Sequence, residues 1–158
     1  MTRDQPSTEI VDAPDPGLRN RRVREVMRRD FISISQQESV LEALDLMRLA
    51  RLRHITIAND GLLVGILSYR DLQDDLLARI KPPLDLHREL AIGHAAAVER
   101  TTGSPYSIAP DATLAEAAAR LERLRVGCLP VVEAGVRGLQ VVGLLTEMDL
   151  LRAAYQAR

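Results

Sequence analysis

Two places in the chain combine a hydroxyl residue with an aspartate three positions later, directly after an apolar run. They are Ser68 with Asp71 and Thr146 with Asp149. A hydroxyl at the start of a helix lies beside free backbone N–H groups, which favour an anion such as phosphate. A carboxylate one turn into the helix can accept hydrogen bonds from two adjacent hydroxyl groups, as in a ribose 2′,3′-diol. Both pairs are therefore candidate receptors for a ribose phosphate.

The same spacing is also that of a capping box, in which the acid only satisfies the backbone at a helix start. Ser39 with Glu42 and Thr113 with Glu116 have this form too, but they use Glu and follow polar turns, as ordinary caps do. The aspartate pairs come directly off a strand-like run, with a glycine three residues before the hydroxyl. Two interpretations stay open at this point: the aspartates bind a ligand, or they only cap the helices of a structural module.

The aspartate pairs lie in an internal repeat. Residues 65–72 and 143–150 share the order Gly, two aliphatic residues, Ser or Thr, two variable residues, Asp and Leu. Equivalent residues of the two copies are four positions closer together before the hairpins than within these blocks. This difference predicts one insertion of four residues in the loop Glu133 to Gly138. A domain of about 60 residues is marginally stable, so the two copies must bury their apolar faces together.

Each half is predicted to form a short strand, an amphipathic helix, a hairpin and a second helix. The short strands are predicted at residues 32–34 and 106–108, and Asn59-Asp60-Gly61 predicts the turn of the first hairpin. The first helix of each half has apolar residues at the spacing of a buried stripe. They are Val40, Ala43, Leu44, Met47 and Ala50 in the first half, and Leu114, Ala117, Ala118, Leu121 and Leu124 in the second.

The chain resembles a tandem pair of CBS domains, a module named after cystathionine β-synthase. The resemblance rests on Val23 to Met27, His54 to Ile57 and Cys128 to Val132, on the amphipathic helices and on both aspartate blocks. It implies an α/β fold in which two β-α-β-β-α units pack through their sheets. It also implies two clefts that bind an adenosyl ligand, namely AMP, ADP, ATP or S-adenosylmethionine.

Matching positions give the residues that the resemblance implies for such a ligand. Asp71 and Asp149 would hold ribose hydroxyls, with Ser68 and Thr146 beside them near the ribose or phosphate. The first strand of each unit would border the adenine, and basic residues before the second strand would contact phosphate. The adenine positions are Ser33, Ile34, Ser107 and Ile108, and the phosphate positions are Arg53 and His54.

The second unit departs from this pattern. It has Gly127 and Cys128 where the first unit has two basic residues, so we expect two unequal sites. His54 follows two arginines closely and is expected to face the surface. Cys128 lies within a strand-like run and is expected to be a buried, unreactive residue. His87 and His94 have no Cys or carboxylate neighbours at metal-binding spacing, so no metal site is predicted.

Length and composition limit the other functions. The chain has 158 residues and a formal net charge of −1, with 27% charged and 3% aromatic residues. This balance gives no general attraction to nucleic acid or to anionic membranes, and no apolar run approaches the ~20 residues of a membrane span. The single Cys excludes an internal disulfide and fits a reducing cytoplasm. The arginine-rich segment, residues 19–29, is expected to be solvated and balanced by acids; phosphate contact or an acidic partner is the alternative.

The predicted division of the chain has four parts. They are a flexible arm at residues 1–18, a first unit at 19–81, a linker at 82–90 and a second unit at 91–158. Lys81-Pro82-Pro83 marks the seam between the units, because consecutive prolines do not continue a helix.

The helices that close the two units carry broad apolar faces. The residues are Leu72, Leu76, Leu77 and Ile80 in one helix, and Leu150, Leu151, Ala154 and Tyr155 in the other. Such faces either complete the core or form an interface, and the resemblance favours a homodimer. We therefore expect a non-catalytic regulatory module that requires no cofactor, binds an adenosyl ligand and signals to an effector protein. A ligand-free structural or dimerisation module is the alternative.

Overall fold

The structure is a computed structural model that describes residues 17–79 and 106–155. The first range forms β1 (Ser33–Ile34), α1 (Val40–Leu49), β2 (His54–Asn59), β3 (Leu62–Ser68) and α2 (Tyr69–Arg79). The second range forms α3 (Leu114–Leu124), β4 (Cys128–Gly135), β5 (Gly138–Thr146) and α4 (Glu147–Tyr155). Two short 3₁₀ helices, Leu18–Asn20 and Val23–Glu25, precede β1. The predicted linker 82–90, the seam at 81–83 and most of the predicted arm lie outside the described residues, and the unit boundaries stay predictions.

The two halves repeat the same elements in the same order, which confirms the predicted α/β repeat. β1 pairs in parallel with β2, and Ile34 lies opposite Ile57. At the equivalent position of the second half, a single parallel bridge joins Ile108 to Val131. The prediction of a short strand at 106–108 is therefore wrong in extent, because only one of its residues pairs with β4.

Reciprocal capping boxes start α1 and α3, as predicted. The Glu42 carboxylate accepts from the Ser39 backbone N–H (2.8 Å), while the Glu42 N–H donates to Ser39 Oγ (3.2 Å). Thr113 and Glu116 form the same pair of bonds, at 2.7 and 3.2 Å. These local bonds satisfy backbone donors that the first turn of a helix leaves free.

The buried stripes of the two helices agree with the prediction except at two alanines. The buried members are Val40, Ala43 and Met47 in α1, and Leu114, Ala117 and Leu121 in α3. Ala50 is exposed because α1 ends before it, so that it caps the helix instead of lying within it. Ala118 is exposed at the edge of the stripe. The stripe that faces the core is therefore narrower than the sequence predicts.

The two hairpins share a tight turn and differ in length. The β2–β3 hairpin turns at Asp60 and Gly61, as predicted, and both residues have the positive φ (49° and 79°) that a two-residue hairpin turn requires. The predicted loop from Glu133 to Gly138 is wrong, because β4 continues to Gly135 and β5 begins at Gly138. The inserted residues lengthen both strands, so their backbone groups pair across the ladder.

The strands form one mixed sheet in the order β1-β2-β3-β5-β4. The hairpins meet where Leu62 pairs with Gln140 and the Val141 N–H donates to the Gly61 carbonyl (3.1 Å). Each unit buries its own cluster of apolar side chains between sheet and helices. The first contains Ile34, Val40, Ala43, Met47, Ile55, Ile57, Leu67 and Leu72, and the second contains Ile108, Leu114, Ala117, Leu121, Leu129, Val131 and Leu145.

The arginine-rich segment connects the first unit to the core of the second. Val23 and Met27 are buried in the second cluster, and Arg28 exchanges two backbone hydrogen bonds with Leu144 in β5 (2.8 and 2.9 Å). Gly143 permits this approach, because a Cβ there would lie 2.9 Å from the Arg28 carbonyl oxygen and 2.9 Å from the Met27 sulfur. The two units are therefore interlocked by the chain that precedes β1.

Acidic partners balance the arginine-rich segment, as expected. Arg24 forms an ion pair with Asp111, and Arg22 Nη1 donates to the Asp111 carbonyl (2.8 Å). Among the described residues, Arg21 also pairs with Glu25 and Arg28 with Asp30. Exposed pairs of this kind add little stability, but the two contacts with Asp111 fix the segment to the loop that precedes α3.

Candidate functional site

The repeat builds two equivalent corners where a hairpin passes into a helix. His54, the first residue of β2, lies opposite Ser68, the last residue of β3, and Asp71 follows in the first turn of α2. We call these three residues the first corner. The second corner consists of Cys128, Thr146 and Asp149, with the same pairing between β4 and β5 and the same place in α4. In each corner the strand ladder sets the hydroxyl beside the first residue of the preceding strand, and the helix adds the carboxylate.

The first corner is open. Asp71 is exposed, and its backbone N–H donates to Ser68 Oγ over a long 3.5 Å. Within the described residues, the Asp71 carboxylate has no hydrogen-bond or ion-pair partner. Its oxygens are therefore available to accept bonds from a ligand, which is the property that a ribose diol requires.

The second corner is closed by its own helix cap. Asp149 Oδ2 accepts from the Thr146 N–H (2.9 Å) and from Thr146 Oγ1 (2.6 Å), and the Asp149 N–H donates to Thr146 Oγ1 (3.3 Å). The side chain is buried, and Oδ1 lies 3.7 Å from Arg152 Nη1. Asp149 therefore forms the complete capping box that the sequence allows, whereas Asp71 does not.

His54 connects the first corner to the second unit. It is half-buried, so the expectation that it faces the surface is wrong. A Cβ at Gly127 would lie 3.6 Å from His54 Cε1 and 3.8 Å from Glu147 Oε2, so the imidazole and the carboxylate both border this glycine. Burial lowers the pKa of His54; the Asp71 carboxylate opposes this shift and the Arg53 guanidinium adds to it.

Glu147 is the residue of this site that the sequence analysis missed. It is the first variable residue after Thr146 in the repeated block, where the first unit has Tyr69. Its N–H donates to the Gly127 carbonyl (3.2 Å), and the equivalent bond joins the Tyr69 N–H to the Arg53 carbonyl (2.9 Å). A comparison of the variable positions of the two copies could have identified it, since one copy carries an acid and the other does not.

The predicted adenine positions differ in what they expose. Ile34 and Ile108 are buried in the two core clusters, so their side chains point into the protein. Ser33 is exposed, and its hydroxyl lies 2.5 Å from Thr56 Oγ1, which also donates to the Ile32 carbonyl (3.2 Å). Ser107 is half-buried. A ligand at these positions would therefore meet serine side chains and backbone edges, not the isoleucine side chains.

Cys128 occupies in the second corner the place that His54 has in the first. Its thiol is free and buried, as predicted. Burial raises the pKa of Cys128 to about 12, and the Asp149 carboxylate acts in the same direction. A thiol of this kind stays protonated near neutral pH, which makes it a poor nucleophile and a poor metal ligand.

Metal clusters and membrane-spanning helices are both absent from the described residues. Within residues 17–79 and 106–155, no group of three or more His, Cys, Asp or Glu side chains could hold a metal ion. His87 and His94 lie outside those ranges. In the same part of the chain, every helix is too short or too polar to cross a bilayer.

Comparison with protein families finds the CBS domain twice, at residues 23–78 and 97–156. The two matches correspond to the two halves of the repeat, and together they span most of the chain. A search of curated proteins gave no match.

Solved structures of CBS proteins share the fold. A protein of Vibrio cholerae named for acetoin utilization (AcuB) is 27% identical, with a TM-score of 0.68 over 84% of this chain and 89% of that one. CBSX2 in complex with AMP is 24% identical, with a TM-score of 0.69 over 86% and 97%. The CBS domain pair of protein MJ0100, in complex with 5′-methylthioadenosine and S-adenosylmethionine, is 21% identical, with a TM-score of 0.66 over 84% and 94%.

Proposed function

The chain belongs to the CBS domain family and contains a tandem pair of these domains, and from this we propose that it is a non-catalytic sensor of an adenosyl ligand. The ligand is AMP, ADP, ATP or S-adenosylmethionine. Binding at the corners would regulate an effector protein. No bond is made or broken in this role, so the site residues act only by binding and positioning.

The observation that carries the proposal is the open first corner. The acids Glu42, Glu116 and Asp149 accept bonds from the backbone and hydroxyl of their own helix caps. Asp71 has the same spacing but leaves its carboxylate unengaged among the described residues. An acid that only capped its helix would close its box, as the others do. A free carboxylate next to Ser68 suits a ribose diol.

The relatives support the adenosyl class without choosing within it. CBSX2 was crystallised with AMP, and the pair from MJ0100 with 5′-methylthioadenosine and S-adenosylmethionine. These compounds share adenine and ribose and differ in the 5′ substituent. The shared part is the part that Asp71 and Ser68 would hold, with Ser33 and the backbone of Ile34 along the adenine.

The remaining candidates complete the proposed sites. Arg53 and His54 lie beside Ser68 and would face the 5′ substituent. In the second corner, Thr146 and Asp149 would take the ribose only after the cap bonds open, with Ser107 and the backbone of Ile108 along the adenine. We therefore propose that the first corner is the stronger site.

Regulation would follow from differential binding. A ligand shifts the equilibrium between two arrangements of the units or of the dimer only by the difference in its affinity for the two arrangements. The apolar faces of α2 and α4 are the proposed dimer surface, since Leu77, Leu151 and Tyr155 are more than half exposed. Leu72 is buried and completes the core instead, and the side chains of Leu76 and Ile80 lie outside the described residues. The effector protein and the cytoplasmic location stay predictions.

A second candidate function is a ligand-free structural or dimerisation module. The closed cap at Asp149 favours it, because that acid is fully explained by helix stability. It does not explain Asp71.

A thermal-shift titration tests the proposal. A ligand at about 100 times its Kd stabilises the folded chain by about 2.7 kcal/mol, so at least one of AMP, ADP, ATP and S-adenosylmethionine should raise the Tm. The variant Asp71→Ala should lose this shift, while its unliganded Tm falls by at most about 4 °C. Asp74→Ala is the matched control, because Asp74 is an exposed acid on the same helix. The proposal fails if no compound shifts the wild-type Tm at millimolar concentration.

A further inference from the structure

Glu147 belongs to the second unit by sequence but lies beside the first corner. Its Oε2 and the His54 ring both come within 4 Å of the position that a Cβ at Gly127 would occupy. Both groups lie at ordinary contact distance from that position, so they border the same space. A carboxylate that the other unit supplies therefore lies beside the first corner.

The charges around His54 come from three elements. Its own strand start carries Arg53, α2 supplies Asp71, and α4 supplies Glu147; Gly127 and Ser68 are uncharged. Burial lowers the pKa of His54, which favours the neutral imidazole, so the groups named here comprise one cation and two carboxylates. Arg70, next to Asp71 in α2, forms an ion pair with Asp74. The named groups therefore carry a net negative charge, whereas a basic phosphate pocket would be positive.

A ligand held by Asp71 would bring its 5′ end close to this region. The 5′ carbon is bonded to C4′, next to the diol carbon C3′, and in the proposed function Arg53 and His54 face the 5′ substituent. The carboxylate of Glu147 is the charged group that the second unit places there. Its effect depends on the sign of charge that the substituent carries.

We infer that Glu147 makes the first corner discriminate against phosphorylated adenosyl ligands and in favour of one whose 5′ substituent is cationic, such as the sulfonium of S-adenosylmethionine. The inference rests on the proposed function and selects among its ligands. Glu147 is exposed, so its field is partly screened, and one like charge at about 4–6 Å in such a setting changes affinity by about tenfold.

The test compares three ligands that differ in 5′ charge. The affinities of AMP (anionic), 5′-methylthioadenosine (neutral) and S-adenosylmethionine (cationic) are measured by titration calorimetry on the full chain and on Glu147→Gln. In the variant, the affinity for AMP should rise about tenfold and that for S-adenosylmethionine should fall about tenfold, so their ratio should rise about a hundredfold, while the affinity for 5′-methylthioadenosine stays within about twofold. Glu133→Gln is the matched control, since Glu133 is exposed in the outer part of the β4–β5 hairpin, and it should leave the ratio unchanged.

Two results would overturn the inference, and they are distinct. An unchanged ratio in Glu147→Gln, with all three ligands still bound, rejects the role of Glu147 and leaves the proposed function in place. No binding of any of the three compounds to either protein rejects both. Equal unliganded Tm values for Glu147→Gln and the wild type show that the comparison concerns folded proteins.

Discussion

The contrast between an open and a closed corner predicts that Asp149→Ala destabilises the protein much more than Asp71→Ala. Removing the Asp149 carboxylate leaves the Thr146 N–H and hydroxyl without their acceptor in a partly buried place. Hydrogen bonds to a charged group contribute about 1.5–3 kcal/mol, and loss of a cap costs about 0.5–2 kcal/mol. These two figures describe the same bonds, so we expect a loss of about 2 kcal/mol. The 3.7 Å ion pair with Arg152, whose own side chain is exposed, adds roughly a few tenths of a kcal/mol.

The matched change in the first corner removes much less. Asp71 is exposed, and its carboxylate has no hydrogen-bond or ion-pair partner among the described residues. Only its favourable position near the positive end of the α2 dipole is lost, which is worth about 0.3–1 kcal/mol. We therefore expect a difference of at least about 1 kcal/mol between the two variants. For a chain of this size, the Tm falls by about 2–4 °C per kcal/mol.

Urea denaturation of the unliganded proteins, followed by far-UV circular dichroism, measures this difference. Asp149→Asn serves as the conservative variant, because its amide oxygen can still accept one of the Thr146 bonds, and it should lie between the wild type and Asp149→Ala. If Asp71→Ala and Asp149→Ala lose the same stability within about 0.5 kcal/mol, then both corners are caps. The argument from the open carboxylate would then be refuted.

Two other perturbations test the packing around the corners. Gly143→Ala should destabilise the protein by about 1–3 kcal/mol, because its Cβ would lie 2.9 Å from the Arg28 carbonyl oxygen. Gly127→Ala is the control, since its Cβ would meet its neighbours at 3.6 Å or more. Equal stability of the two variants in urea would contradict this packing. The lowered pKa of His54 means that the unfolded chain binds a proton at this residue more readily than the folded chain does. The contribution of His54 to stability is therefore present above its ordinary pKa of about 6.5 and is lost as the pH falls below that value. The free energy of unfolding should therefore fall less between pH 7.5 and pH 5.5 in His54→Gln than in the wild type. Equal falls in the two proteins would show that His54 is not desolvated.

The features that the sequence predicts correctly are local or repeated. The caps at Ser39 and Thr113 need only a hydroxyl and an acid at the right spacing. The turn at Asp60-Gly61 needs two residues that accept positive φ. The order of helices and hairpins follows from periodicity within short windows. Each of these is decided by residues that are close in the chain, so the pattern suffices.

The features that the sequence does not predict depend on contacts between distant residues. The insertion before Gly138 lengthens two strands, because each new residue in β4 finds a partner in β5. Asp71 and Asp149 have the same spacing from their hydroxyls, and only the structure shows that one is exposed and the other is closed. Glu147 reaches the first corner through a contact between the units, which no spacing within one copy could indicate.

The difference between the corners has a consequence for the order in which two ligands would bind. At the second corner, a ribose must compete with the Thr146 bonds for Asp149, so part of its binding energy is used to open a cap that stabilises α4. At the first corner, the same ribose meets the Asp71 carboxylate, which has no hydrogen-bond or ion-pair partner to lose among the described residues. An opening cost of about 1.4 kcal/mol corresponds to a tenfold weaker affinity. A duplicated motif can thus provide one corner that stabilises the fold and one that binds first, without any change in the motif itself.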